Sequence, residues 1–546
     1  MKPLPWRMRR AHLTATTPWA PLAGRWGLTP EAARLAWLRD AGEEELAWRL
    51  DPDLKRASDP YALPGVGQAV REIREALAKG ERICVYGDYD VDGVTATALL
   101  VRVLEHLKAR VDFFIPNRFN DGYGLNLDCI REVVASRGPA LLISVDCGVR
   151  SAAEVKATAE LGARWIITDH HARGPELPAC TVVHPGLEGY ANPHLSGVGV
   201  AFKLAQALLE GRESEAFLLG LLKLVALGTV ADMVSLRGEN ALLVKLGLRA
   251  LGGANGPGLA ALLRTAKVET PLRARDIAFK VGPRLNAVGR MGGAEDAVRL
   301  LLTRDAAEAE ALAAQVEALN QQRRRIQEDL AAALPPPGEE AFDLVVEPTA
   351  HKGVIGIVAG HRMRDANRPS AVCTVIDGIA HGSVRAPEGY DLGPILDQAA
   401  PFLLTYGGHR CAAGISFRLN HLAMVRRTFC TAAEAQARHR GQTALLVDGL
   451  GTGEAPGASE LDRLEPFGQG FPEPVFRVEG ELEGGFRSMK GVHKFRLKGQ
   501  PTEFTAFGEA PPDLAGRFAL AVCPQDSSRW PRSWRVEGEL TLGELP

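Results

Sequence analysis

Five runs of apolar residues recur between positions 82 and 185: RICVYG, VDFFIP, ALLISVD, ARWIITD and TVVHP. The first four are separated by helix-compatible segments such as GVTATALLVRVLEHLKA, LNLDCIREVVASR and SAAEVKATAEL. Strands apolar at consecutive positions have both faces covered, and their alternation with amphipathic helices implies crossover connections. The expectation is an α/β domain built on a mostly parallel, doubly wound sheet. Such a sheet binds ligands beyond the carboxyl ends of its strands, near the point where strand order reverses. The polar residues of this region gather at those ends: Asp88, Asp90 and Asp92 in GDYDVDG, then Asn117 and Arg118, then Asp146 in SVDCG, then Asp169, His170 and His171 in TDHH.

A chain of 546 residues exceeds one ordinary core, so further domains are expected. Residues 196–303 read largely as helices. The most apolar stretch, FLLGLLKLVALGTVADMV at 217–234, is interrupted by Lys223 and Asp232 and is too short in clean apolar length to span a bilayer, which makes it a buried core helix. The Ala/Glu/Gln-rich segment DAAEAEALAAQVEALNQQRRRIQEDLAAAL has high helical propensity and stops at PPPG. From Phe342 a second α/β pattern begins, and after about residue 447 short strands and turns suggest a small β-barrel. The predicted division is an N-terminal segment (1–60), a first α/β domain (61–303), a helical connector (304–338), a second α/β domain (339–446) and an OB-like domain (447–546).

Charge and cysteine content narrow the possibilities. The formal net charge of −2 gives no global basic signature, so any nucleic-acid surface must arise from local clustering. The eight cysteines form no C-x-x-C pair, which argues against a zinc ribbon or a disulfide framework and suits a reducing cytoplasm. The N-terminus is basic without an apolar run behind it, unlike a secretory signal, and no G-x-x-x-x-G-K-[ST] supports an ATP-driven motor.

Carboxylates crowded into one crevice cannot all stay ionised without positive charge, because each raises the pKa of the others. A divalent cation resolves the conflict. Asp oxygens with His nitrogens suit Mn²⁺, with Mg²⁺ or Zn²⁺ as alternatives, and there are more ligands than one ion needs, so two are plausible. Asp232, at the end of an apolar helix, joins the set because an ionised carboxylate there is costly unless paired or metal-bound. Any one Asp after a strand is as often a turn former or helix cap. Co-location of three acidic motifs at successive strand ends is what points to a metal site.

GDYDVDG, SVDCG, TDHH and GTVADM, in this order, resemble the motifs of the DHH phosphoesterase superfamily, and GGHRCAAG at 407–414 resembles the signature of its DHH-associated second domain. PRLNAVGRMG at 283–292, GVIGIVAG at 353–360, GSVRAP at 382–387 and LEPFGQGFPEPVF at 464–476 are similar to the bacterial single-strand exonucleases of that superfamily. The resemblance runs from about residue 80 to 540. It implies a two-metal phosphodiesterase that degrades single-stranded DNA from the 5′ end to mononucleotides, in repair and recombination. The implied ligands are Asp90, Asp92, Asp146, His170 and Asp232, with Asp88 and His171 adjoining and Asp146 as the bridging carboxylate. Which of Asp88, Asp90 and Asp92 ligate directly stays open, since many relatives carry a His in the first motif where this chain has none. The implied partners are a single strand with a 5′ end, a single-strand-binding protein and a helicase. A cytoplasmic monomer without membrane attachment is expected.

A polyanionic substrate also needs donors. Candidates are Arg118, Arg284, Arg290, Ser383, Arg385 and His409, with backbone N–H groups freed by Gly407, Gly408 and Gly414. Arg118, Arg290, Ser383 and Arg385 are expected to form a 5′-phosphate pocket, because the planar guanidinium bonds two oxygens at once. In HKFRLKG, strand alternation places Lys494, Arg496 and Lys498 on one face, a basic stripe that with Phe486, Phe504 and Phe507 would track single strands by charge and stacking. Two other functions compete. One is a phosphodiesterase acting on short oligonucleotides or cyclic dinucleotides, whose members are typically shorter and lack the extra β-region. The other is a non-catalytic single-strand-binding relative, which would have lost ligands that this chain retains.

Overall fold

The computed structural model describes residues 6–9, 18–119, 121–122, 124–138, 140–187, 189–210, 215–438, 445–450, 455–489, 491–507, 517–525 and 533–536. The first sheet contains Arg82–Tyr86 (β1), Arg110–Phe114 (β2), Leu141–Val145 (β3), Arg164–Thr168 (β4) and Thr181–Val183 (β5). Their order is β2-β1-β3-β4-β5 and every neighbouring pair is parallel. Strand order reverses at β1, so the turns after β1 and β3 flank the crevice where such folds bind ligands.

The unbroken apolar runs are explained by burial on both faces. Ile83 and Val85 of β1 point into one core with Val94 and Leu99 of helix Val91–His106 (α1), whereas Cys84 and Tyr86 point into the other with Ile130 and Val133 of Leu127–Arg137 (α2). Gly197–Leu209 (α3) and Glu215–Ala231 (α4) complete the first of these cores through Phe202, Leu224 and Leu227. Helix α4 is the apolar stretch noted in the sequence, and no described helix is long and apolar enough to cross a membrane.

Gly282–Met291 (α5) leads by way of Glu295–Leu302 (α6) to the 28-residue helix Ala306–Ala333 (α7), roughly 42 Å long at 1.5 Å per residue. The Asp305 side chain caps α7 by accepting the Glu308 N–H at 2.7 Å. Its first half buries Ala309, Leu312, Ala313 and Val316 against the first domain, and its last turns bury Leu330 against Val354, Ile355 and Val358 of Lys352–Ala366 (α8). One rigid rod thus packs on both α/β units. The second sheet comprises Asp343–Val346 (β6), Ser370–Ile376 (β7), Ile379–Arg385 (β8), Thr405–His409 (β9) and Ala412–Arg418 (β10), ordered β9-β10-β8-β7-β6. Only the β6–β7 pair is parallel.

Near the C-terminus, Phe476–Met489, Val492–Leu497, Glu503–Phe507, Arg517–Gln525 and Ser533–Val536 each pair with two of the others around a core that includes Phe476, Phe495, Leu497 and Phe504. Residues 461–471, grouped with this region in the sequence, pack elsewhere. Leu461, Leu464 and Phe471 share a core with Leu35, Ala36 and Leu46 of the N-terminal helices. Fully buried Arg49 donates to the carbonyls of Leu464 and Pro466 at 2.9 and 2.7 Å, with its guanidinium 3.7 Å from the Phe471 ring centroid. LEPFGQGF is therefore a clasp between chain segments, and the N-terminal helices are its other half.

Candidate metal centre and anion pocket

The turn after β1 distributes its three carboxylates by backbone geometry. Asp90 caps α1, its Oδ1 accepting the N–H of Asp92 and Gly93 at 2.9 and 3.1 Å. Asp92, in the first helical turn and buried, accepts the N–H groups of Gly197 and Val198 at 2.5 and 2.9 Å. Those donors are the amides of the α3 N-terminus, which have no partner within the helix and favour an anion. Asp146 follows β3 in a left-handed conformation, φ 63°, a strained geometry for a residue with a side chain. Gly197 is required beside it, because a Cβ there would stand 2.5 Å from Asp146 Oδ1.

His170 Nε2 lies 3.1 Å from Asp146 Oδ1, 3.7 Å from Asp232 Oδ2 and 3.8 Å from Asp92 Oδ2. Three clusters of ligand atoms form: Asp88, Asp90 and Asp146; Asp92, His170 and Asp232; Asp146, His170 and His171. Asp146 belongs to two of them. Asp169 faces away from these clusters: its Oδ1 accepts the backbone N–H groups of His170 and His171 and lies 2.8 Å from His171 Nδ1, while its Oδ2 accepts the Val149 N–H. It orients the histidines.

Burial is the largest cause of the shifted acidities, followed by carboxylate repulsion. Asp88 and Asp146 are held well above the usual carboxylate range by burial and then by Asp90 and Asp92 respectively. Burial and Asp90 push Asp92 up to about 7; burial with Asp92 and Asp90 pushes Asp232 to about 9. Burial and then the charge of His171 hold His170 down at about 3, so it is neutral and can donate a lone pair. For His171, burial pulls the pKa down, but the hydrogen bond and charge of Asp169 outweigh it and raise the value to about 9. Asp88 Oδ1, Asp146 Oδ1 and His170 Nε2 are buried without a hydrogen-bond partner. Such atoms are costly unless something positive completes them. Oxygen and imidazole donors clustered in this way fit divalent cations.

Beside the acids lies their electrostatic opposite. Arg118 stacks its guanidinium 5.0 Å from the Tyr89 ring centroid. Burial, then Arg118 and Arg385, pull Arg290 down to about 10, and its guanidinium donates to the Gly353 carbonyl at 3.2 Å. Arg385 donates to Ser383 Oγ at 2.9 Å. The fold thus brings Arg118 and Arg290 of the first domain to Ser383 and Arg385 of the second. The ring of His409, on β9, stacks 6.2 Å from that of His171, placing the Gly-rich strand over the carboxylates.

Other candidates fall elsewhere. Arg284 pairs with Glu317 at 2.6 Å and fastens α5 to α7, away from the pocket. Lys494 and Lys498 pair with Glu503 and Glu481 at 2.9 and 2.7 Å, whereas Arg496 is exposed and is in none of the ion pairs among the described residues. Phe504 is a core residue and offers no stacking face, Phe486 is partly buried and packs edge-on against Phe495, and the side chain of Phe507 lies outside the described residues.

Residues 82–229 match the sequence profile of the DHH family, N-terminal domain, and residues 341–435 that of the DHHA1 domain. The single-stranded-DNA-specific exonuclease RecJ of Bacillus subtilis (strain 168) is 36% identical over 495 residues, covering 86% of this chain and 61% of that protein. RecJ of Thermus thermophilus is 37% identical over 501 residues, covering 90% of this chain and 72% of the relative. The chain belongs to the RecJ family. Its fold matches the crystal structure of Thermus thermophilus RecJ in complex with Mn²⁺ with a TM-score of 0.82 at 31% identity, covering 97% of this chain and 78% of that one. The Mg²⁺ complex of the same protein gives 0.74. This RecJ-family chain spans less than two thirds of the Bacillus relative's length.

Sequence reasoning passed over several residues of this RecJ-type site. The α3 N-terminus, SGVGVAF at 196–202, holds Asp92 in place, and the small residues in that motif were its only local signal. Tyr89, between two acids, supports Arg118. Gly228, on α4, is tightly placed, since a Cβ there would lie 2.7 Å from Asp92 Oδ1.

Proposed function

We propose that this chain is a metal-dependent 5′→3′ exonuclease that degrades single-stranded DNA to mononucleotides. The observation that carries the reading is the meeting, across two domains, of a carboxylate–histidine cluster with the pocket of Arg118, Arg290, Ser383 and Arg385. Those four residues hold the terminal phosphate by charge-assisted hydrogen bonds. The next phosphodiester then lies over Asp146 and His170, with His409 as a donor from the opposite side. Asp88, Asp90, Asp92, Asp146, His170 and Asp232 hold two divalent cations, Mn²⁺ or Mg²⁺, which when bound supply the positive charge and water activation for hydrolysis. Asp169 fixes the orientation of His171 beside them, and the strained Asp146, shared by two of the ligand clusters, would serve both ions.

The reading extends to the rest of the chain. Residues 61–303 and 339–446 form the cleft, 304–338 fix its width, and the OB-like region from 447 binds the trailing strand through Lys494, Arg496 and Lys498. The protein acts as a cytoplasmic monomer in repair and recombination, with a single-strand-binding protein and a helicase supplying substrate. Digestion of end-labelled single- and double-stranded DNA with Mn²⁺, Mg²⁺ or EDTA tests this. The expected result is early release of 5′-labelled mononucleotide from single strands only, and none with EDTA. Early release of a 3′ label, equal attack on blunt duplex, or turnover of dinucleotides alone would overturn it.

A further inference from the structure

Only Met489, at 75%, is more exposed than Phe279 at 71% and Met233 at 70% among the large apolar side chains described. Scattered exposed hydrophobes mean little. These two are not scattered. Met233 directly follows the candidate ligand Asp232 and takes a left-handed conformation, φ 63°, which sets it outside the end of α4. Phe279 sits in the π-helical turn Ile277–Val281, which continues into α5, and π-turns are frequent at functional sites. The two elements touch between these residues: a Cβ on Gly282 would lie 3.5 Å from that of Ala231.

Continuity with the site and local charge identify the occupant. The helical rod from Phe279 to Arg290 is roughly 16 Å long, with the anion pocket at one end and the exposed ring at the other. The Arg275 guanidinium lies over one face of the Phe279 ring, 5.9 Å from its centroid, while most of the side chain stays exposed. On the far side, Arg275 lies 3.9 Å from Glu473, which pairs with Arg535 of the C-terminal strands, so that region begins next to Phe279. A strand with its 5′ end in the pocket and its body heading for that region passes this surface.

We propose that Phe279 is a stacking platform for bases of the single strand downstream of the metal centre, and that Arg275 neutralises the phosphates alongside. This positioning role rests on the exonuclease reading above. Phe279 touches neither the carboxylates nor the arginine pocket, so it acts on affinity for long strands and not on the chemical step.

The test compares wild-type protein with Phe279→Ala and Phe279→Tyr on 5′-phosphorylated single strands in Mn²⁺. Base–aromatic stacking implies at least about fivefold weaker binding of long strands by Phe279→Ala, with recovery in Phe279→Tyr. A strand made abasic in its interior should bind both proteins alike, because it has no base to stack, and kcat on a 5′-phosphorylated dinucleotide should not change. A photoreactive pyrimidine moved stepwise from the 5′ end should cross-link to the peptide containing Phe279 at one interior position. If wild-type protein digests single strands but Phe279→Ala binds them equally well, or the loss persists on the abasic strand, the platform is wrong. If wild-type protein does not digest single strands, the exonuclease reading fails first.

Discussion

Asp232 makes the acidity of the site measurable through metal binding. Its carboxyl is pushed up to about 9 by burial and by Asp92 and Asp90, so at neutral pH and without metal it carries a proton that a cation must displace. Each pH unit below about 9 costs about 1.4 kcal/mol, a tenfold loss in apparent affinity, and at pH 7 this group alone weakens Mn²⁺ binding roughly a hundredfold from its plateau. Asp92, at about 7, adds a second proton below neutrality, whereas neutral His170 adds none. The metal-free protein shows the complementary sign. A carboxyl raised above its unfolded value of about 3.9 contributes stability that is complete below that value and lost as pH rises through about 9. The gap in Tm between Mn²⁺-loaded and EDTA-treated protein should therefore widen from pH 6.5 to 9. Calorimetric titration of Mn²⁺ in two buffers of different ionisation enthalpy counts the protons released, and Asp232→Asn should release about one fewer near pH 8. A flat affinity between pH 7 and 9, or an unchanged proton count in Asp232→Asn, would refute the reasoning.

Asp146→Ala should abolish hydrolysis while thermal unfolding of the metal-free protein shows no loss of stability, because the variant removes a buried, repelled carboxylate; near-normal nuclease activity in Mn²⁺ would sink the bridging assignment. Gly197→Ala, at a residue that ligates nothing, should weaken Mn²⁺ binding about tenfold by driving a methyl group against Asp146, as overpacking of this size predicts; calorimetry checks it. Arg385→Ala should raise KM about 10- to 100-fold on 5′-phosphorylated strands and far less on 5′-hydroxyl strands, the range for a lost charge-assisted hydrogen bond, and equal losses on both would remove the pocket. Because Lys494 and Lys498 already have carboxylate partners, Arg496→Gln should lower the salt dependence of long-strand binding by about one counterion, and Lys498→Gln by less.

Local pattern determined much of this molecule. Unbroken apolar runs require strands covered on both faces, so the parallel sheet and the polar residues at its carboxyl ends were legible from periodicity alone. Asp88, Asp90, Asp92, Asp146 and His170 follow from that placement, since each lies within a few residues of the strand that positions it. Asp232 was legible for another reason: a carboxylate ending an apolar helix needs a partner. Proximity between distant segments has no local signature. Strand order β2-β1-β3 set the Asp88–Asp92 turn beside Asp146, and the length and packing of α7 decided that Ser383, Arg385 and His409 would face the first domain. Arg284 has the same local credentials as Arg290 six residues on, yet faces Glu317, because the two project from different sides of α5. Likewise LEPFGQGF reads as a turn-rich surface segment, and only in three dimensions does it meet buried Arg49 from the other end of the chain. Residue type and periodicity fix which face of an element is buried; which other element covers that face is settled by packing of the whole chain.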